Sequence, residues 1–269
     1  MDNAKVPENY RELFERAVMG PITKRDLEGT SVHARLRLIG TVRDALFDQA
    51  SPGSPSIQHL NLMTIENTFK ASERFCAWQD KRRAVFLNEI GKREHSGLRK
   101  VFSSWRSQPI SERERALVQT STMHQHAYMS GVADVLPVQH RFHASPAFNV
   151  GGRIVMTFGG FRGDFVNRRG YLRHNTGTGS FLFNAQFTLE TNHHETTHAL
   201  QFMLADAFRR KTIREDHMLY EEARVFSEID RLSGVLPAAL GRAYEAQLHE
   251  RLAESEGVQI AEAIMEMSR

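Results

Sequence analysis

Cysteine is almost missing from this chain. The single one, Cys76, excludes an intrachain disulfide framework and a multi-cysteine zinc site. Long apolar runs are missing too, and none approaches the ~20 residues that a membrane-crossing helix needs. The opening residues, MDNAKVPENYREL, have neither the basic start nor the apolar stretch of a secretory signal. The expected setting is therefore the reducing cytoplasm, with no membrane partner. Delivery into another cell by a dedicated machine would leave no mark in these residues. Internal repeats and low-complexity tracts are also absent.

What is present suits a folded protein. Hydrophobic residues make up 41% of the chain and charged residues 25%, which excludes a largely disordered chain. The 269 residues allow one large domain or two small ones, with a core that needs no staples. The net charge is only +3 but is unevenly placed. Residues 81–106 hold Lys81, Arg82, Arg83, Lys92, Arg93, Arg99, Lys100 and Arg106 against Glu89 and Glu94. Residues 244–269 hold six Glu against Arg251 and Arg269. The plain reading is two solvated helix faces. The sharper readings are a basic patch for an acidic partner or nucleic acid, or contact between the two segments.

Patterning divides the chain near residue 145. Residues 7–145 read as mostly helical. Gly20-Pro21 stops a first helix, Ser31 caps a second, and Ser51–Pro55 is a break. Ser111 and Glu114 have capping-box spacing for a helix that runs to about Met129. Beyond 145, two short strand-like runs flank Gly151-Gly152, the pattern of a hairpin. Residues 159–180 are glycine-rich and read as long loops, with a short strand at Tyr171-Leu172. Alternation over 183–190 favours a half-buried strand, while a helix would also place Phe183 and Phe187 together. Helical pattern returns over 191–210, 215–233 and 237–267, with Gly241 and Gly257 as weak points. The expected fold is α+β and mainly helical, with a small sheet packed on the helix described next. The expected domains are a helical region, 1–144, and a second domain, 145–269.

The stretch that carries chemistry is Leu189–Phe202. Within it His194-Glu195-Thr196-Thr197-His198 is an HExxH motif. On a helix, residues i and i+4 lie one turn apart on one face, so both imidazoles can address one metal ion. Zinc accepts neutral imidazole nitrogen and lowers the pKa of its bound water toward ~7. Glu195 projects beside the pair, where it can take the proton of that water. His193 points about 100° away and is not expected to be a ligand.

Catalytic zinc usually has three protein ligands. Downstream, Leu219, Ala223, Phe226 and Ile229 form an apolar stripe that includes Glu222. An acid on a buried face is costly unless paired or metal-bound. That favours Glu222 as third ligand, with Glu221, Glu228 and His217 as alternatives. The segment resembles the active-site core of the zincin metallopeptidases of gluzincin type: HExxHxxQ is followed by a helix bearing Glu222-Ala223 and Phe226, as in compact bacterial metallopeptidase domains. The metzincin pattern is excluded, because Gln201 and Leu204 stand where it needs Gly and His.

The resemblance covers residues 189–232. It implies one zinc per chain held by His194, His198 and Glu222, Glu195 as general base, and hydrolysis of protein or peptide substrates. Residues 1–140 resemble nothing recognised. Tyr171, Arg173, His174 and Tyr220 are candidates to stabilise an oxyanion. Arg162-Gly163-Asp164 spells an adhesion tripeptide and, as a three-residue match, is given no weight. Cys76 reads as core packing beside Phe75 and Trp78. The rival reading is a non-catalytic binding or regulatory protein whose zincin-like core is structural or degenerate and whose working surface is the basic 81–106 segment. Oligomeric state is not legible in the sequence.

Overall fold

The computed structural model describes residues 8–269 apart from 49, 52, 145–147, 151–152 and 156–158. In the N-terminal half, helices α1 (Glu8–Met19), α2 (Val32–Phe47), α3 (Pro55–Glu66), α4 (Glu73–Gly91), α5 (Ser96–Ser103) and α6 (Ile110–Met129) follow one another. Strands β1 (Val138–His143), β2 (Phe148–Val150), β3 (Arg153–Val155), β4 (Gly159–Asp164) and β5 (Arg169–Asn175) come next. Then come α7 (Gly179–Phe183), α8 (Ala185–Arg209), α9 (Tyr220–Glu228), α10 (Arg242–Glu245) and α11 (Leu248–Met267). The fold is α+β, 68% helical, with a small three-stranded sheet ordered β1-β5-β4. β1 runs parallel to β5 and β4 antiparallel to it, while β2 and β3 form a separate antiparallel pair. The expected Gly151-Gly152 turn lies outside the described residues. No helix among the described residues is long and apolar enough to cross a membrane.

Several elements differ from their sequence expectation. Within residues 159–180 the expected strand at Tyr171-Leu172 is part of β5, while β4 and the start of α7 stand where loops were expected. Residues 185–190 are the first turns of α8 rather than a strand. The side chain of Asn184 accepts the Phe187 N–H at 3.0 Å, a helix N-cap that strict alternation cannot provide. Thr188, Leu189, Asn192 and His193 then recur at helical spacing on the buried side. α6 starts at Ile110 with Pro109 at its N-cap, so Ser111 lies inside the helix. Cys76 is exposed: Phe75 and Trp78 point inward on α4, and Cys76 and Ala77 between them turn out.

The chain divides into two compact units, Met1–Ser72 with Arg224–Arg251, and Glu73–Ala223 with Leu252–Arg269. The expected boundary at 144/145 falls within the second unit. In the first, α2 packs against α1, α3 and a π-helical turn over Ile229–Ser233. Ala17, Leu36, Ile39, Val42, Leu62 and Ile65 form its core. Buried Asn61 closes the end of α1, donating to the Ala17 and Gly20 carbonyls at 2.8 Å and accepting the Ile22 N–H at 3.0 Å.

In the second unit α8 is the central helix. α6 packs on one side of it and β4 and β5 on another. Gly163 permits the close approach of β4, since a Cβ there would sit 2.3 Å from the Phe202 ring. Leu189, Leu200, Met203, Leu204 and Leu172 are all buried around this helix.

Candidate metal centre

α8 is buried on most of its circumference. Phe187, Glu190, Thr191, His194, Glu195 and His198 are the half-buried exceptions over 187–198, and their spacing places them on one stripe. The opposite side is bolted to α6 by polar contacts. Asn192 Nδ2 donates to the Leu117 carbonyl and to Thr120 Oγ1, both at 3.3 Å. Thr196 Oγ1 and Ser121 Oγ lie 2.8 Å apart, and Gln125 donates to the same Ser121 oxygen at 3.1 Å. His193 and His124 meet through their Nδ1 atoms at 3.2 Å. Burial holds His193 down to about 3 and His124 well below the usual histidine range, so both are neutral. Neutral imidazoles can share this contact as donor and acceptor. The ladder fixes the rotation of α8, turning His193 inward and the HExxH stripe outward.

On that stripe His194 and His198 face each other edge-on. Their ring centroids are 4.7 Å apart with planes at 82°, and their Nε2 atoms are 3.0 Å apart. Each Nδ1 faces an oxygen: Gln201 Oε1 at 2.8 Å for His198, and Glu254 Oε2 at 3.4 Å for His194. An imidazole that donates from Nδ1 keeps its lone pair on Nε2. Two lone pairs 3.0 Å apart repel unless a cation lies between them. Two nitrogens bound at ~2.0–2.1 Å to a tetrahedral zinc are roughly 3.3 Å apart, so the donor set fits such an ion. Oxygen partners at the second ring nitrogen are the usual support of metal-binding histidine.

Glu195 lies on the side of α8 that meets β4. A Cβ on Gly159 would be 2.8 Å from Thr191 Cγ2 and 3.1 Å from Glu195 Cγ, so the glycine lets the strand lie against the Glu195 stem. Strand pairing sets His174 opposite Gly159. His174 is buried, lies 3.1 Å from His140 Nδ1 through its Nε2, and is pushed down to about 3, chiefly by burial. With Thr188 and Thr191 of α8, and Phe181 and Phe187, it lines a small cavity of mixed polar and apolar character.

Of the other oxyanion candidates, Tyr171 is covered by the Arg141 guanidinium at 4.3 Å and Tyr220 packs on Phe208 at 5.4 Å. Arg173 is exposed on the sheet face turned away from α8.

Glu222 is buried at the start of α9, whereas Glu221 is exposed. Neither belongs to a group of three metal-ligating side chains closing within 4.8 Å among the described residues. The same holds for Glu228 and His217. Glu228 lies 3.9 Å from both Arg224 and His33, and His217 Nδ1 accepts the Leu219 N–H at 3.1 Å. The structure thus brings together His194 and His198, and adds Glu254 and Gln201. Glu254 escaped the sequence reading. Its available signal was Gly257, unusual inside a strong helix. A Cβ on Gly257 would lie 2.6 Å from the Glu190 carbonyl oxygen and 3.1 Å from His194 N, so α11 crosses α8 there and carries Glu254 to His194.

Much of the basic 81–106 segment is engaged internally. Arg82 donates to the Ala127 carbonyl, Arg99 to those of Ile90 and Lys92, and Arg106 to that of Phe183. Arg83 is buried against Asp80 and Glu256, and Lys92 pairs with Glu89. No protein-family model, curated protein or solved structure matches the chain.

Proposed function

We propose that this protein is a zinc-dependent metallopeptidase. The observation that carries the reading is the pair of Nε2 atoms at 3.0 Å on a half-buried helix stripe, each ring held by an oxygen at Nδ1. His194 and His198 would hold the ion through Nε2; the gluzincin resemblance implies Glu222 as third ligand, although its carboxylate does not close on the two imidazoles in this structure. Zinc supplies Lewis acidity and acidifies water at neutral pH. Glu195, adjacent on the same stripe, takes the proton of the attacking water and returns it to the leaving amine. Gln201 and Glu254 keep the two N–H groups on Nδ1. The edge strand β4 beside Glu195 offers main-chain groups to an extended peptide, a common mode of peptide recognition. Engagement of five of the segment's basic side chains within the fold weighs against a nucleic-acid surface at 81–106.

Metal analysis of wild type beside Glu195→Gln tests the reading. Both proteins should carry one zinc, and only wild type should cleave a peptide library. Full activity of Glu195→Gln would dismiss the mechanism even with zinc bound.

A further inference from the structure

The two faces of the three-stranded sheet differ in chemistry. α8 lies over one, where Phe161 packs on Phe202 at 5.8 Å and Leu172 and His174 are buried. Side chains alternate along a strand. The other face therefore carries Gln139, Arg141, Arg162, Arg169, Tyr171 and Arg173, brought into rows by the pairings Gln139–Tyr171–Arg162 and Arg141–Arg173–Gly160. Asp164 shares this face and lies 3.5 Å from Arg169. Arg162 and Arg173 are exposed. Gly160 puts no side chain between Arg173 and the outer edge of β4: a Cβ there would be 3.8 Å from Arg173 Nη2, so the guanidinium lies along that residue. Among the described residues no strand pairs with that edge. Its outward main-chain groups are a template for an added strand.

We propose that the outer edge of β4 binds an extended peptide segment with acidic side chains at alternate positions, read by Arg162 and Arg173. Calling that segment substrate rests on the peptidase reading above. Side chains of an added strand that point away from α8 fall beside Gly160 and Arg162, two residues and about 6.8 Å apart. A guanidinium waits at each place, and its planar fork matches a carboxylate. Side chains pointing the other way fall on the side of Gly159, where Glu195 lies. Charge complementarity alone would also admit a single-stranded nucleic acid. That ligand needs open aromatic faces for stacking, and Tyr171 already carries the guanidinium groups of Arg141 at 4.3 Å and Arg169 at 5.3 Å.

The test uses zinc-loaded Glu195→Gln protein and two fluorescent peptides, one with a Thr-Glu-Val-Glu-Thr core and one with Thr-Gln-Val-Gln-Thr, followed by anisotropy. The Glu peptide should bind about tenfold tighter at low salt, with the gap closing as salt is added. Adding Arg162→Gln and Arg173→Gln should bring the ratio to about one and leave zinc content unchanged. Equal or undetectable binding of both peptides by the protein that retains Arg162 and Arg173 overturns the proposal. A preference that survives loss of both arginines overturns it as well, as does displacement of the Glu peptide by a single-stranded oligonucleotide that binds more tightly. Anisotropy needs no turnover, so failure of wild type to hydrolyse any peptide would count against the peptidase reading and leave this result standing.

Discussion

His194, Glu195 and His198 are adjacent because the pitch of a helix makes them so, which is why this part of the site is legible in sequence. The atoms that orient them are less legible. Gln201 sits one turn on and shares the same local logic, but Glu254 arrives from a helix about fifty residues away. At this scale two predictions separate roles. Glu195→Gln should keep zinc and melting temperature near wild type while peptide hydrolysis falls by ~10²–10⁴-fold, as for a lost general base. Gln201→Leu removes the acceptor at His198 Nδ1, so the imidazole is free to take the other tautomer. Zinc affinity should weaken by ~10–100-fold in a competition titration. Unchanged affinity would remove Gln201 from the site.

The helices expected in the N-terminal half were readable from caps and stripes, and Ser31 does cap α2, accepting the Ala34 N–H at 3.1 Å. The misread elements are those where tertiary packing outweighs local pattern. Phe183, Ala185, Phe187 and Leu189 alternate like a strand, yet Asn184 caps a helix and α6 receives its buried side. Glycines at 159, 163 and 170 resemble loop residues, but they are places where a strand meets α8 or a neighbouring ring at close range. Gly257 belongs to the same class and gives a prediction about α11. By intrinsic propensity Gly257→Ala should strengthen the helix by up to ~1 kcal/mol. The Cβ would instead meet the Glu190 backbone at 2.6 Å. We expect a net loss of ~1–3 kcal/mol in chemical denaturation, as for overpacking, with weaker zinc binding because the His194 turn is displaced. A more stable variant would show that α11 does not pack on α8 as described.

Across the whole molecule, the mainly helical α+β class was legible from texture, whereas the division into units was not. Segments distant in sequence, Met1–Ser72 and Arg224–Arg251, share one core, and no composition shift marks that return. Global stability should also record a buried acid. Burial of Glu66, only partly offset by Arg251, raises its pKa to about 8. The folded chain therefore holds a proton that the unfolded chain releases above the ordinary value of 4.5. The contribution of Glu66 to stability is greatest below 4.5 and falls by roughly 1.4 kcal/mol per pH unit as pH rises toward 8. Glu66→Gln should raise the melting temperature relative to wild type at pH 8 and change it little at pH 4.5. Equal shifts at both values would place the ionised carboxylate comfortably in the fold.

The central claim is that His194 and His198 share one metal ion. Its most direct test is the zinc content of the purified full-length chain, equilibrated with zinc and freed of excess, beside His198→Ala treated identically. The account predicts close to one zinc per wild-type chain and loss of most of it in the variant. A well-folded wild-type protein that emerges without zinc would contradict it.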